Sequence, residues 1–139
     1  MTTTIDVRCL CGEVVIALTG EPAACFYCHC DDCQAVHGAA CLPVAMYRAQ
    51  QTRIVRGDPL FWRRKTTARA TCRACGTRLF AEPPDGEIRT ITAYLLPPGV
   101  FQPTFHVQCR HALLPVRDAL PHYEGFPAVF GGSDARVAW

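Results

Sequence analysis

Cys9-Leu10-Cys11-Gly12 and Cys72-Arg73-Ala74-Cys75-Gly76 are the two stretches on which the reading of this chain turns. Each offers a pair of thiols beside a glycine, and 60 residues separate Cys11 from Cys72. Two such pairs make a natural tetrahedral metal site, and four-thiolate sites of this kind are closed and structural. Glycine after each pair suits a knuckle, where the backbone turns sharply and its N–H groups face sulfur. Four cysteines can also hold iron, but nothing here resembles a ferredoxin cysteine run, so zinc is expected. The ion would staple an early loop to a mid-chain one. That matters in a small β fold, which must offset the entropy of joining distant strands.

The chain has 139 residues, ten of them cysteine. So many thiols mean either a disulfide scaffold or metal ligation. The start, Met1-Thr2-Thr3-Thr4-Ile5-Asp6, has neither the basic region nor the apolar run of a secretion signal, and no stretch approaches the ~20 apolar residues of a membrane span. A cytoplasmic setting is therefore expected, where persistent disulfides are rare. Cys9/Cys11 and Cys28/Cys30 also have a single residue between them, a spacing hard to bridge internally. Metal ligation is the expectation.

Metal also changes the meaning of the formal charge of +2. Zinc-bound thiols are deprotonated, so seven thiolates and two divalent ions move the charge by −3, to about −1. The basic isoelectric point is then poor support for nucleic acid binding. No aromatic–basic groove pattern is present either. Arg63-Arg64-Lys65 reads as a solvated face and Phe61-Trp62 as core.

The remaining pattern predicts a mainly β chain of short antiparallel strands with little helix, a single domain over residues 1–125 followed by a tail from 126 to 139. Half the residues are hydrophobic, and eleven prolines with ten glycines fall at many of the strand junctions. Glu13 to Thr19 alternates, with Val14, Ile16 and Leu18 on one face. Further strands are expected at Ala40–Tyr47, Thr52–Val55, Leu60–Arg63, Arg69–Thr71, Arg78–Ala81, Ile88–Tyr94 and Thr104–Gln108. Gln34-Ala35-Val36-His37 suits one or two helical turns before Gly38. In the tail, Trp139 is the residue able to dock.

Cys28-His29-Cys30-Asp31-Asp32-Cys33 supplies three soft ligands within six residues. Three protein ligands and an open place are what catalytic zinc needs. A fourth protein ligand would instead close the site, and Cys25, Cys41, Cys109, His29 and His37 are candidates. Spacing alone leaves both arrangements standing. Cys41 and Cys109 lie in apolar segments, where free cysteine behaves as a small core hydrophobe. His106 alternates with Phe105 and Val107, which points it toward a pocket or into solvent.

Taken together, the ordered motifs resemble the glutathione-dependent formaldehyde-activating family, whose vertebrate relatives include a centromere protein. Its Cys-x-Cys-Gly matches Cys9 to Gly12, its Cys-His-Cys-x-x-Cys matches Cys28 to Cys33, and its Cys-x-x-Cys-Gly-Thr matches Cys72 to Thr77. The late segment, His106 followed by Leu114-Pro115-Val116 and Leu120-Pro121-His122-Tyr123-Glu124-Gly125, is similar as well. The resemblance implies the compact zinc-stapled (Mss4-like) β fold first described in a small guanine-nucleotide-exchange chaperone. It implies two zinc ions per chain, one structural on Cys9, Cys11, Cys72 and Cys75 and one on Cys28, Cys30 and Cys33 as the reactive site.

The activity implied is that of a carbon–sulfur lyase, forming or cleaving the adduct between a small thiol such as glutathione and a small aldehyde such as formaldehyde. His29, Asp31, Asp32, His37 and His106 are the candidate proton carriers. Two other classes stand beside it. A zinc-scaffolded module would present a binding surface to protein or nucleic acid. A zinc hydrolase would place water on the open position, for which three charge-donating thiolates are a poor environment.

Overall fold

The computed structural model describes residues 2–139. Among them are ten strands: β1 Thr4–Arg8, β2 Val15–Thr19, β3 Ala24–Cys28, β4 Leu42–Arg48, β5 Thr52–Arg56, β6 Leu60–Arg64, β7 Thr67–Thr71, β8 Arg78–Glu82, β9 Ile88–Thr92 and β10 Phe105–Val107. One helix, α1, runs from Asp31 to His37. The fold is predominantly β with a single short helix, as the turn-rich sequence predicts. Every strand expected from the pattern is present, its ends shifted by no more than two residues. β1 and β3 are additional.

The described residues form two compact units. The first comprises residues 2–24 and 45–101. In it β2 lies between β1 and β5, antiparallel to both, with Ile16 opposite Val7 on one side and Ile54 on the other. Its central place explains why Val15, Ile16, Ala17 and Leu18 are all buried, where alternation predicts only one inward face. A second antiparallel ladder runs β6-β7-β8-β9, with Ala70 paired to Phe61 and Phe80, and Phe80 to Ile91. Leu79 and Ile91 are among its fully buried side chains; each such apolar burial contributes about 1.5–3 kcal/mol.

Phe61 departs from its expected core position: it is 52% exposed. The reason is that β6 is an edge strand, so Phe61 meets Phe80 only edge-on, at 6.1 Å between ring centroids. Trp62 is half-buried, and its indole N–H donates to Thr71 Oγ1 at 2.9 Å. Between β5 and β6 the chain turns at Gly57, φ +90°, where a Cβ would lie 2.5 Å from the carbonyl oxygen of Glu13. Only glycine fits so close to another backbone.

The second unit comprises residues 25–44 and 102–139. β10 runs parallel to β3, placing Phe105 beside Phe26, His106 beside Tyr27 and Val107 beside Cys28. Segment 121–125 lies along β10: the His106 N–H donates to the Pro121 carbonyl at 2.9 Å, and the Tyr123 N–H to the His106 carbonyl at 3.0 Å. Phe26 and Phe105 stack at 5.2 Å, and Phe130 leans on both. The stretch from 126 onward also bonds back, the Val137 N–H donating to the His122 carbonyl at 3.0 Å. Trp139 then meets His29 edge-on, 5.2 Å between centroids.

Candidate metal centres

Each unit carries one cysteine cluster. In the first unit the sulfurs of Cys9, Cys11, Cys72 and Cys75 lie within 4.8 Å of one another. Cys9 and Cys11 are 3.5 Å apart and Cys11 and Cys72 3.7 Å. A tetrahedral ion with ~2.3 Å sulfur arms has edges of roughly 3.8 Å, so the set is already spaced for one. The knuckle glycines make the expected sharp turns, Gly12 with φ 81° and Gly76 with φ 76°, but their N–H groups return to the carbonyls of Cys9 and Cys72 at 3.0 Å rather than to sulfur. The Val14 N–H donates to Cys9 Sγ at 3.2 Å. Thr77 ties the two knuckles: its hydroxyl accepts from the Leu10 N–H at 3.1 Å and lies 3.0 Å from Cys75 Sγ. The side-chain and backbone hydrogen bonds of Thr77 hold the Cys75 thiol down at about 5. The Arg56 guanidinium also donates to the Gly12 carbonyl.

In the second unit Cys28, Cys30 and Cys33 form a three-sulfur cluster, again within 4.8 Å of one another. β3 delivers Cys28, which is buried, from its last position. Cys30 caps α1, its sulfur accepting from the Cys33 N–H at 3.3 Å, and Gly38 ends the helix with φ 60°. Cys33 sits in the first turn and places its sulfur 3.5 Å from that of Cys28. Hydrogen bonding to the crowded Cys30 and Cys33 sulfurs, then burial, pushes the Cys28 thiol well above its ordinary range. Three sulfurs gathered this closely are a donor set that a divalent soft cation satisfies.

Cys25 stands three positions before Cys28 on β3. Strand side chains alternate faces, so Cys25 projects from the face opposite Cys28. Cys109 is buried, and burial first, then Asp118 and Cys41, pushes its thiol up to about 12. Cys41 is half-buried just before β4, and burial raises it too. Both fit the small-hydrophobe role expected of them.

His29 is fully buried, and its ring packs on His106 with Nε2 2.9 Å from His106 Nδ1. Burial lowers its pKa to about 4, with His106 and His122 adding to the effect. Gln34 clamps the loop from α1, its amide donating to the carbonyls of His29 at 2.7 Å and His111 at 2.8 Å. Beside α1 lies a groove of about 440 Å³ lined by Asp31, Gln34, Ala35, Ala39, Ala40 and Leu113. His106 is fully buried rather than facing solvent, and it meets Asp118, absent from the sequence reading, and His122, given no role there. Asp118 Oδ2 lies 2.8 Å from His106 Nε2, and Asp118 Oδ1 3.0 Å from His122 Nε2. Burial pushes the Asp118 carboxyl up, but hydrogen bonds from His106 and the Leu120 N–H outweigh it and hold the group below its ordinary value. The only sequence signal was Asp118 four residues before His122, a weak one in a proline-rich loop.

The family profile described as glutathione-dependent formaldehyde-activating enzyme matches residues 4–112, a span that holds both cysteine clusters. The chain belongs to the glutathione-dependent formaldehyde-activating family. No curated protein gives a significant match. Among solved structures, a Rhodobacter sphaeroides protein is similar at 24% identity and a TM-score of 0.57, over 69% of this chain and 90% of that one. At that identity the likeness speaks to fold. The geometry of the two cysteine clusters makes each capable of coordinating a metal ion. Among the described residues no helix is long and apolar enough to cross a membrane.

Proposed function

We propose that this formaldehyde-activating family member is a zinc-dependent carbon–sulfur lyase that joins a small thiol such as glutathione to a small aldehyde such as formaldehyde, and reverses that step, in the cytoplasm. The observation that carries this reading is the three-sulfur cluster of Cys28, Cys30 and Cys33, with Cys25 on the far face of β3. The four-sulfur cluster of the first unit has the structural part. A zinc ion held by Cys28, Cys30 and Cys33 would supply a soft Lewis acid that favours the ionised form of the substrate thiol.

A free thiol of pKa ~8.5 is only a few per cent ionised at neutral pH, so full ionisation raises the reactive fraction roughly 30-fold. Part of that gain is lost because a more acidic thiol is a weaker nucleophile. Positioning must supply the rest. Gln34 keeps the His29 loop and α1 in fixed relation while substrate comes and goes. In the reaction the sulfur–carbon bond forms, the carbonyl π pair moves to oxygen, and the proton that left sulfur is delivered to that oxygen. The back reaction breaks the same bond.

Exchange between glutathione and its formaldehyde adduct, followed by NMR at equilibrium, tests the reading. The protein is expected to accelerate exchange, and Cys30→Ala to abolish the acceleration while leaving the fold. Exchange at the uncatalysed rate with wild type would mean that the cluster serves as scaffolding for a binding module.

A further inference from the structure

Outside both cysteine clusters, the second unit gathers His106, Asp118 and His122, whose ligand atoms lie within 4.8 Å of one another. We infer that these three side chains form a third metal site, a two-histidine, one-carboxylate centre for a divalent ion of the zinc type. Imidazole and carboxylate together suit such ions, and three protein ligands of this kind leave positions open for exchange.

The geometry is that of a built site. His106 is 0% and His122 8% exposed, so two imidazoles have been taken out of water around one carboxylate. Nitrogen and oxygen arms of about 2.0–2.1 Å put neighbouring ligand atoms roughly 3.0–3.4 Å apart. The observed separations are 2.8 Å from His106 Nε2 to Asp118 Oδ2 and 3.0 Å from His122 Nε2 to Asp118 Oδ1. A small outward shift would admit the ion.

His122 Nε2 supplies an independent observation. It is buried and close to the carboxylate, yet it makes no hydrogen bond, because its approach lacks the required direction. A buried imidazole nitrogen left so costs stability unless something else meets it. A cation between it and His106 Nε2 would.

Support around the ligands is also in place. Histidines that bind metal have their second ring nitrogen held by a neighbouring group, and His106 Nδ1 lies 2.9 Å from His29 Nε2. The Leu120 N–H donates to Asp118 Oδ1 at 3.0 Å, fixing the carboxylate. Trp139 covers one side, 4.7 Å from the His122 ring and 6.1 Å from that of His106. Asp118 keeps about a third of its side chain exposed, 32%, which leaves an approach from solvent.

The test uses the full chain with its cysteine sites already zinc-loaded. Equilibrium dialysis against micromolar free zinc is expected to reveal a third equivalent, lost in His122→Ala and in Asp118→Asn while two remain. Long-range proton–nitrogen NMR of the wild type, independent of whether either variant folds, is expected to show Nε2 of His106 and His122 losing their protons and shifting together as that equivalent binds. Saturation at two equivalents, a third equivalent that survives both substitutions, or ring nitrogens that stay protonated and unmoved would each overturn the site and leave a hydrogen-bonded Asp–His cluster.

Discussion

Single residues here divide by what their sulfur or nitrogen faces. Cys75 has the Thr77 hydroxyl and N–H beside it, and these hold its thiol low. Cys109 has burial and the Asp118 carboxylate, and these hold its thiol high, at about 12. The consequence is chemical. At pH 8 a thiol of pKa ~8.5 is roughly a quarter ionised, whereas one near 12 is about a thousand-fold less so, and only the thiolate alkylates. Cys109 in the native, zinc-loaded protein is therefore expected to react with iodoacetamide about three orders of magnitude more slowly than after unfolding. Peptide mass spectrometry of a timed labelling reads this directly. Labelling of native Cys109 at the rate of an exposed thiol would contradict its burial.

At the scale of elements, the first cluster joins two loops that are remote in sequence, whereas the second is local to the end of β3 and the start of α1. Cys72→Ala leaves three thiolates where the structure ties the loop after β1 to the loop after β7, so much of the metal's folding free energy is lost. Cys30→Ala removes one ligand and the cap of α1, and a cap is worth only about 1 kcal/mol. Thermal melts by circular dichroism are expected to show Cys72→Ala unfolded or deeply destabilised and Cys30→Ala melting as a folded protein. Equal damage would mean that the second cluster is structural as well.

These elements also mark what could be read from sequence. Both clusters were legible because metal ligation needs soft donors at short spacings, and spacing is visible without a fold. So were the strands bounded by proline and glycine turns, and α1, which stops at Gly38. β3, Ala24–Cys28, was not legible because a cysteine spacing that suits ligands is superimposed on its short apolar run. Phe61 was misplaced because apolar character cannot tell an edge strand from a central one. Asp118 and His122 could not be linked to His106 at all. Their meeting depends on backbone pairing between β10 and residues 121–123, a long-range event that leaves no periodicity.

For the whole molecule, the central claim is that one cluster stabilises and the other receives a thiol. Each lies in its own unit, and each unit is assembled from two separate stretches of chain. In the first unit the four-sulfur cluster bridges those stretches; in the second the contact of His29 with His106 does so. Thiol capture at Cys28, Cys30 and Cys33 then needs no unfolding and no loss of the staple. Cobalt in place of zinc makes that capture visible, because another sulfur donor intensifies sulfur-to-metal absorption. Titration of the cobalt protein with glutathione is the most direct measurement. The account predicts that absorption rises to saturation with one thiol per chain, that the oxygen analogue of glutathione has no such effect, and that Cys25→Ala responds as wild type does. A wild-type spectrum that glutathione leaves unchanged, with a response only in Cys25→Ala, would show Cys25 already closing the site and would contradict it.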